Sequence, residues 1–149
     1  MRAEQRLAIL EILESVSEMT LATLRPDGWP QATVVTFLND GLQLFFATHP
    51  KAQKAANIAH DERVSATITL PGRGPREIHA LSLAARAERV TDPGVLAHVE
   101  RLAARRFPGS WASNAGFDEL AVFRLKPHVI SLLDYRKGFG WTELIEVAP

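Results

Sequence analysis

The sequence contains no cysteine, and this absence narrows its chemistry at once. The chain cannot form a disulfide, use a thiolate nucleophile or hold a metal through sulfur. Disulfides are typical of secreted proteins, so their absence favours a cytoplasmic location. The N-terminal stretch MRAEQRLAILEILESV carries glutamates within an amphipathic pattern, whereas a signal peptide needs an uninterrupted apolar stretch. We therefore expect a cytoplasmic protein.

The chain also lacks an excess of charge of either sign. It has 17 basic and 17 acidic residues, which give a formal net charge of zero. A general nucleic-acid-binding protein needs a strong basic excess, so nucleic acid is not an expected partner. No apolar run approaches the roughly 18 residues that a membrane span needs, so a membrane is not expected either. A chain of 149 residues without repeat or linker is predicted to form a single domain, residues 1–149.

The common catalytic and metal-binding motifs are missing as well. The five histidines show neither the H-x-x-x-H nor the H-E-x-x-H spacing, so no metal site is expected. There is no G-x-S-x-G motif, no P-loop and no Rossmann glycine pattern. These absences leave the catalytic residues unidentified. They do not argue against redox chemistry, because in flavin enzymes the cofactor carries out that chemistry.

Short β-branched and aromatic runs, separated by turn residues, dominate the chain. Strands are predicted at 19–24, 31–38, 42–48, 63–70, 78–90 and 120–135, and the tail at 136–147 is partly strand-like. Pro127 divides the region 120–135 into one or two strands. Helices are predicted at 3–17, 50–60 and 92–107. The pattern predicts a mainly β (α+β) fold, an antiparallel barrel of six to seven strands with flanking helices.

The segment ATHPKAQKAANIAHDER, residues 47–63, places cations where helix electrostatics favours acids. Pro50 suits the first position of a helix, and the first turn would then hold Lys51 and Lys54 without any acidic residue. A helix N-terminus has unpaired N–H groups and a positive dipole end, so an anion between the two lysines would remove the conflict. With the hydroxyl of Thr48 added, this segment is predicted to hold a phosphate. The alternative is that both lysines are solvated surface charges, at a cost of about a few tenths of a kcal/mol.

The order of these segments resembles the pyridoxamine 5′-phosphate oxidase-like family of flavin-binding split barrels. The resemblance is carried by MTLATLRPDGWPQATVVTF, NDGLQLFFAT, KAANIAHDERVSATI, ARAERVTDP and LKPHVISLLDYRKGFGW. It extends from about residue 5 to residue 147, and it lies in the ordered set rather than in any single motif. It implies a split β-barrel that forms a homodimer, with two FMN sites at the subunit interface and a small-molecule substrate.

The resemblance also implies that two strands contact the cofactor. The second strand would follow the flavin ring and the ribityl chain, with backbone groups bonding the ring edge. The end of the third strand would lie beside the phosphate. The matching residues are Thr33, Val34, Val35, Thr36 and Phe37 on the second strand, and Ala47 and Thr48 on the third.

The phosphate site of the family is matched only in part. Lys54 corresponds to the phosphate-binding lysine, but Gln53 stands where the family usually has arginine and Ala52 where it usually has serine. Lys51, one turn earlier, would replace the charge of the arginine. The departure leaves weaker FMN binding, a deazaflavin ligand or an empty site as alternatives.

The C-terminal stretch DYRKGFGW combines aromatic rings with cations. Tyr135, Phe139 and Trp141 would stack on a ring system, and Arg136 and Lys137 would pair with a phosphate bound by the partner chain. The alternative is an aromatic turn that packs on its own barrel.

Three isolated residues complete the predicted site. Ser82 and His79, on the fifth strand, align near the place where the family contacts the pyrimidine of the flavin, and ordinary strand residues are the alternative. Trp111, in the loop at 108–119, would either cover the site or pack on the barrel.

These residues support two functions of different class. The first is an FMN-dependent oxidoreductase that acts on an unidentified small molecule by hydride transfer through the flavin. The second is a non-catalytic flavin or deazaflavin binding or carrier protein, and a structural dimer with a vestigial site is a third possibility. The family's late Arg-x-His substrate motif is not present, because Lys137 and Gly138 follow Arg136. Pyridoxamine phosphate is therefore not the expected substrate.

Overall fold

Seven β-strands and three α-helices make up the described part of the chain, residues 1–109 and 119–148 of a computed structural model. The helices are α1 (Ala3–Ser15), α2 (Gln53–His60) and α3 (Pro93–Arg106). The strands are β1 (Glu18–Leu24), β2 (Pro30–Asp40), β3 (Gln43–Thr48), β4 (Arg63–Thr69), β5 (His79–Arg89), β6 (Ala121–Asp134) and β7 (Thr142–Glu146). A short 3-10 helix, Tyr135–Lys137, follows β6.

The strands form one antiparallel sheet that closes into a barrel. Their order is β3-β2-β1-β4-β5-β6-β7, and β3 also pairs with β6, so six strands close on themselves. β7 is an extra strand that pairs with the second half of β6. Closure through β3 and β6 leaves fewer unpaired sheet edges than an open sheet of the same strands would have. The prediction of an antiparallel barrel of six to seven strands with flanking helices is confirmed.

The alternation of side chains along the strands explains where the core lies. In β4, the side chains of Val64, Ala66 and Ile68 are buried, and the residues between them are exposed. The barrel interior is one apolar cluster, and α1 adds the fully buried side chains of Ile9 and Ile12 to it. Burying each of these isoleucines contributes about 1.5–3 kcal/mol, which holds α1 on the barrel.

Helix α3 covers a second, smaller apolar cluster on the outside of the barrel. Asp92 caps the N-terminus of α3, because its carboxylate accepts a hydrogen bond from the N–H of Val95 at 2.9 Å. Val99 and Ala103 are buried against strands β2, β3 and β6. At the end of α3, the Arg106 guanidinium donates to three carbonyls at the C-terminus of α1, those of Leu13 (3.1 Å), Glu14 (3.1 Å) and Val16 (2.6 Å).

Of the one or two strands predicted for 120–135, the structure has a single strand, β6, which continues through Pro127. The pairing with β5 shifts at this point, since Ala84 pairs with Val129 and Ala85 with Pro127, so that His128 has no opposite residue. Proline has no N–H to donate, and the β-bulge accommodates Pro127 so that the ladder continues on either side of it.

Among the described residues, no helix combines the length and apolar character needed to cross a bilayer.

Candidate functional site

Helix α2 begins three residues later than the sequence pattern predicts. Pro50 is not its first residue. The N–H of Ala52 donates to the carbonyl of His49 at 2.9 Å, which closes a turn, and Ala52 is the extended N-cap before Gln53. Lys51 therefore lies in the turn, and Lys54 is the cation within the first turn of the helix. The first turn still contains no acidic residue, and the N-cap provides no side-chain hydrogen bond.

A buried asparagine attaches α2 to the ends of β1 and β2. The side chain of Asn57 is fully buried, and its amide donates to Thr23 Oγ1 at 2.9 Å and to Gln31 Oε1 at 3.1 Å. Its own carbonyl oxygen accepts a hydrogen bond from Gln53 Nε2 at 2.8 Å. The first turn of α2, including the half-buried Lys54, is thus fixed beside the start of β2.

One edge of β2 is open next to this helix. The ladder between β2 and β3 covers only the residues from Phe37 to Asp40, and the last two residues of β3, Ala47 and Thr48, pair with β6 but not with β2. The N–H of Phe37 donates to Ser17 on the β1 side, so the alternation of an antiparallel ladder turns the backbone groups of Val34 and Thr36 toward the opposite edge. In the described part of the chain, no strand pairs with that edge along residues 30–36.

The side chains of the predicted flavin-binding strand point to two sides. Val35 and Phe37 are buried in the core, and Thr33 lies on the same inward side. Thr36 is exposed outward, and Val34 has 65% of its surface exposed. A ligand at this edge would therefore meet the side chains of only the outward pair, together with the backbone.

The end of β3 reaches the turn that precedes α2. Ala47 and Thr48 pair with Val122 and Ala121 of β6, and both are half-buried. The Thr48 hydroxyl thus belongs to the strand that leads directly into this turn, as the sequence predicts. Lys51 lines a separate groove, which lies between α2 and the end of β5.

Ser82 lies on the outer face of the sheet but not beside β2. It pairs with Thr67, which pairs with Thr20, which pairs with Val34. Three interstrand spacings separate Ser82 from Val34, about 14 Å. Within one protomer, Ser82 is therefore remote from the open edge of β2.

The C-terminal aromatic cluster packs on itself. Tyr135 and Phe139 meet edge to face with ring centroids 5.6 Å apart. The Lys137 ammonium lies 4.3 Å from the centroid of the Trp141 ring, a cation–π contact. Phe139 is 77% exposed, so the cluster presents an aromatic surface at the turn between β6 and β7.

An ion pair holds this turn in place. The Arg136 guanidinium donates to both carboxylate oxygens of the buried Asp134, at 2.7 and 2.9 Å. These hydrogen bonds hold the pKa of Asp134 below its ordinary value. His79 pairs with Asp134 across the ladder, and burial, followed by the charge of Arg136, lowers the pKa of His79. Arg136 is thus occupied within its own chain.

The two halves of the predicted site are far apart in one protomer. Ala22, next to Thr23 and the α2 anchor, pairs with Ser65 of β4, and Ser65 pairs with Ala84 of β5. The α2 anchor and Ala84 are therefore at the same height along the strands. The stretch of β5 from Ala84 to His79, where the C-terminal turn begins, spans about 17 Å. The aromatic cluster and the first turn of α2 cannot contact the same small ligand within one chain.

Sequence reasoning gave no role to the two buried polar residues that organise these regions, Asn57 and Asp134. The sequence signal for Asn57 was the presence of a poor helix former within an alanine-rich helix.

The prediction for Trp111 falls outside the described residues. Within those residues, no three His, Asp or Glu side chains are grouped so as to hold a metal ion.

The fold and this geometry define a class of protein. A closed antiparallel barrel of six strands with one extra strand and flanking helices is a split β-barrel. The family model described as pyridoxamine 5′-phosphate oxidase matches residues 7–134. The chain belongs to the pyridoxamine 5′-phosphate oxidase family.

Solved structures with the same fold carry different names. An F420 reductase is 29% identical with a TM-score of 0.65, over 81% of this chain and 94% of that chain. A conserved hypothetical protein from Mycobacterium tuberculosis is 26% identical with a TM-score of 0.75, over 92% and 88%. A heme binding protein from Mycobacterium smegmatis is 24% identical with a TM-score of 0.74, over 98% of this chain and 59% of that chain. No curated protein matches the chain by sequence.

Proposed function

We propose that the protein binds FMN and is a flavin-dependent oxidoreductase that acts on a small molecule as a homodimer. The observation that carries the proposal is the open edge of β2 beside the first turn of α2, where Lys54 is half-buried and no acidic residue is present. Backbone polar groups at a sheet edge suit the polar rim of a flavin ring. A cation and free N–H groups at a helix start suit its phosphate.

The donor set at this place fits a phosphate ester. Lys54 supplies an ammonium, Thr48 a hydroxyl and Gln53 an amide that already bonds Asn57. Charge-assisted hydrogen bonds to phosphate are stronger than neutral ones, so Lys54 would contribute most of the binding. Gln53 adds no charge, in contrast to the arginine usual in the family, and we expect weaker FMN binding as a result.

The residues of the chain would bind and orient the cofactor. When bound, the flavin supplies hydride transfer between an electron donor and the substrate. Val34 and Thr36 would contact it with their side chains, and the backbone of β2 would fix the position of the ring. The rigid core positions of Val35 and Phe37 hold that backbone in place, which is the role of protein in cofactor chemistry of this kind.

The outer face of the sheet supports the homodimer. The row Val34, Thr20, Thr67, Ser82 and Ser131 crosses five strands without a charged residue, and it ends at Leu144, which is 68% exposed. A second protomer packed on this row would not have to bury an unpaired charge. A second protomer would also bring Tyr135, Lys137 and Trp141 to a site that they cannot reach within their own chain.

A deazaflavin is the alternative cofactor, in a non-catalytic binding or carrier protein or in a reductase. Two observations favour it. The F420 reductase of similar fold is 29% identical, and Gln53 and Ala52 replace the charged arginine and the serine hydroxyl that the family usually has at the phosphate. A ligand whose phosphate is not held by an arginine would depend more on contacts along β2.

Titration of the purified protein with FMN and, separately, with F420 tests the proposal. Lys54→Ala should weaken FMN binding by about 1.5–3 kcal/mol, the cost of a charged hydrogen bond, or roughly 10- to 150-fold in Kd. Lys126→Ala, which removes a lysine on β6 that contacts Glu88, is the matched control and should leave the Kd unchanged. Equal affinity of wild type and Lys54→Ala would contradict the phosphate assignment.

Reduction separates the enzyme from the carrier. Anaerobic bleaching of bound FMN by NADH or NADPH, followed by recovery of the yellow colour with an acceptor, is expected of the oxidoreductase. Bound flavin that neither donor reduces would favour the carrier.

A further inference from the structure

A groove of about 640 Å³ lies on the side of α2 that faces the end of β5, away from the Asn57 anchor. Its helical wall is low because the residues there are alanines, including the exposed Ala56 and Ala59. Its apolar surface also includes Phe123 and Ala87, both nearly fully buried. The volume is in the range of sites that hold small organic ligands.

The end of this groove is fixed by a backbone hydrogen bond. The N–H of Ala87 on β5 donates to the carbonyl of Glu62, which follows α2, at 2.8 Å. The groove is therefore bounded by two elements that are joined to each other, rather than by a separate loop. A ligand would enter a surface that is already formed.

The acidic side chains at the rim are neutralised by partners of their own. Glu62 forms an ion pair with Arg86. Glu88 accepts hydrogen bonds from Arg124 Nε at 2.7 Å and from Lys126 Nζ at 3.1 Å, so two cations face one carboxylate. These contacts lower the pKa of Glu88, which stays ionised and paired.

The cations at the rim are not neutralised in this way. Lys51 and Arg89 both line the groove and are exposed, and neither forms an ion pair within the described residues. Together with the surplus cation at Glu88, they give the rim a net positive charge, although the whole chain has none. An apolar floor under a cationic rim matches a ligand with an apolar body and one anionic group.

We propose that the groove between α2 and β5 binds a small organic acid, an aliphatic or aromatic carboxylate whose carboxyl group pairs with Arg89 and Lys51. The apolar body of the acid would cover the alanine wall and Phe123. This site is separate from the proposed flavin site, which lies on the Asn57 side of α2, and it does not depend on the presence of FMN.

Two-dimensional amide NMR with sodium octanoate as the probe tests the proposal, and 1-octanol serves as its neutral counterpart. Octanoate should shift the resonances of α2 and of the end of β5, and octanol should bind at least tenfold more weakly. Arg89→Gln should weaken octanoate binding at least tenfold, and Ala59→Trp should abolish it by filling the groove. Ala59 is exposed, so the larger side chain need not disturb the core. Arg101→Gln, an exposed arginine on α3, is the matched control and should bind like wild type.

Several results would overturn the proposal. Octanol that binds as well as octanoate would show that the cations play no part. Displacement of octanoate by FMN would show that the groove belongs to the flavin site. Groove resonances that move with protein concentration in the absence of octanoate would assign this surface to a contact between two copies of the chain. We expect Arg89→Gln and Ala59→Trp to bind FMN as wild type does, because the groove and the proposed flavin site lie on opposite sides of α2. Loss of octanoate binding and loss of FMN binding can therefore be told apart.

Discussion

The buried Asn57 side chain offers a sharp test of how α2 is held against the barrel. Asn57→Ala removes three side-chain hydrogen bonds, those to Thr23, Gln31 and Gln53. Each such bond contributes about 0.5–1.5 kcal/mol net, and the Thr23 hydroxyl, which is 3% exposed, would lose a partner where water cannot replace it. We expect Asn57→Ala to lower the free energy of unfolding by about 3 kcal/mol.

Urea unfolding at fixed protein concentration measures this loss. In a chain of this size, about 3 kcal/mol corresponds to a decrease in Tm of roughly 6–12 °C. Gln53→Ala is the matched variant, since it removes only one bond of the network from an exposed residue and should cost about 1 kcal/mol or less. The double variant should show coupling between the two positions.

The anchoring role of Asn57 also predicts a consequence for FMN binding. If Asn57 places the first turn of α2 beside β2, then Asn57→Ala should weaken FMN binding at temperatures where the barrel is still folded. A loss of stability no larger than that of Gln53→Ala, with unchanged FMN affinity, would refute the anchoring role.

Three further predictions concern the periphery of the barrel. Arg106→Ala should cost about 2–3 kcal/mol, because the α1 carbonyls lose charged donors, and Arg106→Lys should recover only part of this in urea melts. Asp134→Asn should cost about 1–2 kcal/mol at neutral pH through the lost pairing with Arg136. Because folding lowers the pKa of Asp134, its stabilisation exists above the ordinary value of 3.8 and is lost as the pH falls below it, so the two proteins should converge in acid. Val34→Glu should shift the mass measured by light scattering from dimer to monomer, whereas Ala97→Glu on α3 should not; a wild-type monomer would contradict the proposed interface.

The sequence was sufficient for the local elements of the fold. Runs of β-branched and aromatic residues between turn residues located the strands. Gly28 and Gly41, in the turns on either side of β2, have positive φ values of 89° and 59°. Asp92 marked the start of α3. Each of these signals acts between residues close in sequence, which explains why they could be read without the structure.

The start of α2 shows the limit of such signals. Pro50 is compatible with the first turn of a helix, but it is equally compatible with the turn that His49 and Ala52 close. Which of the two forms depends on where β3 ends and on where Asn57 finds its partners, and both are long-range contacts.

The succession of strands, helices and turns along the chain and the family were therefore determined by the sequence itself, because they follow from local backbone preferences and an ordered pattern. Only the tertiary structure decided that β3 closes the barrel on β6 and that its pairing with β2 ends at Phe37, which leaves the edge of β2 open. Only the tertiary structure placed Lys51 in the turn before α2, where it lines the groove toward β5, and Lys54 within the first turn of the helix. Tyr135 and Trp141 lie far from both lysines. The physical reason is that sheet closure and the burial of Asn57 pair residues distant in sequence, and no local periodicity records those pairings.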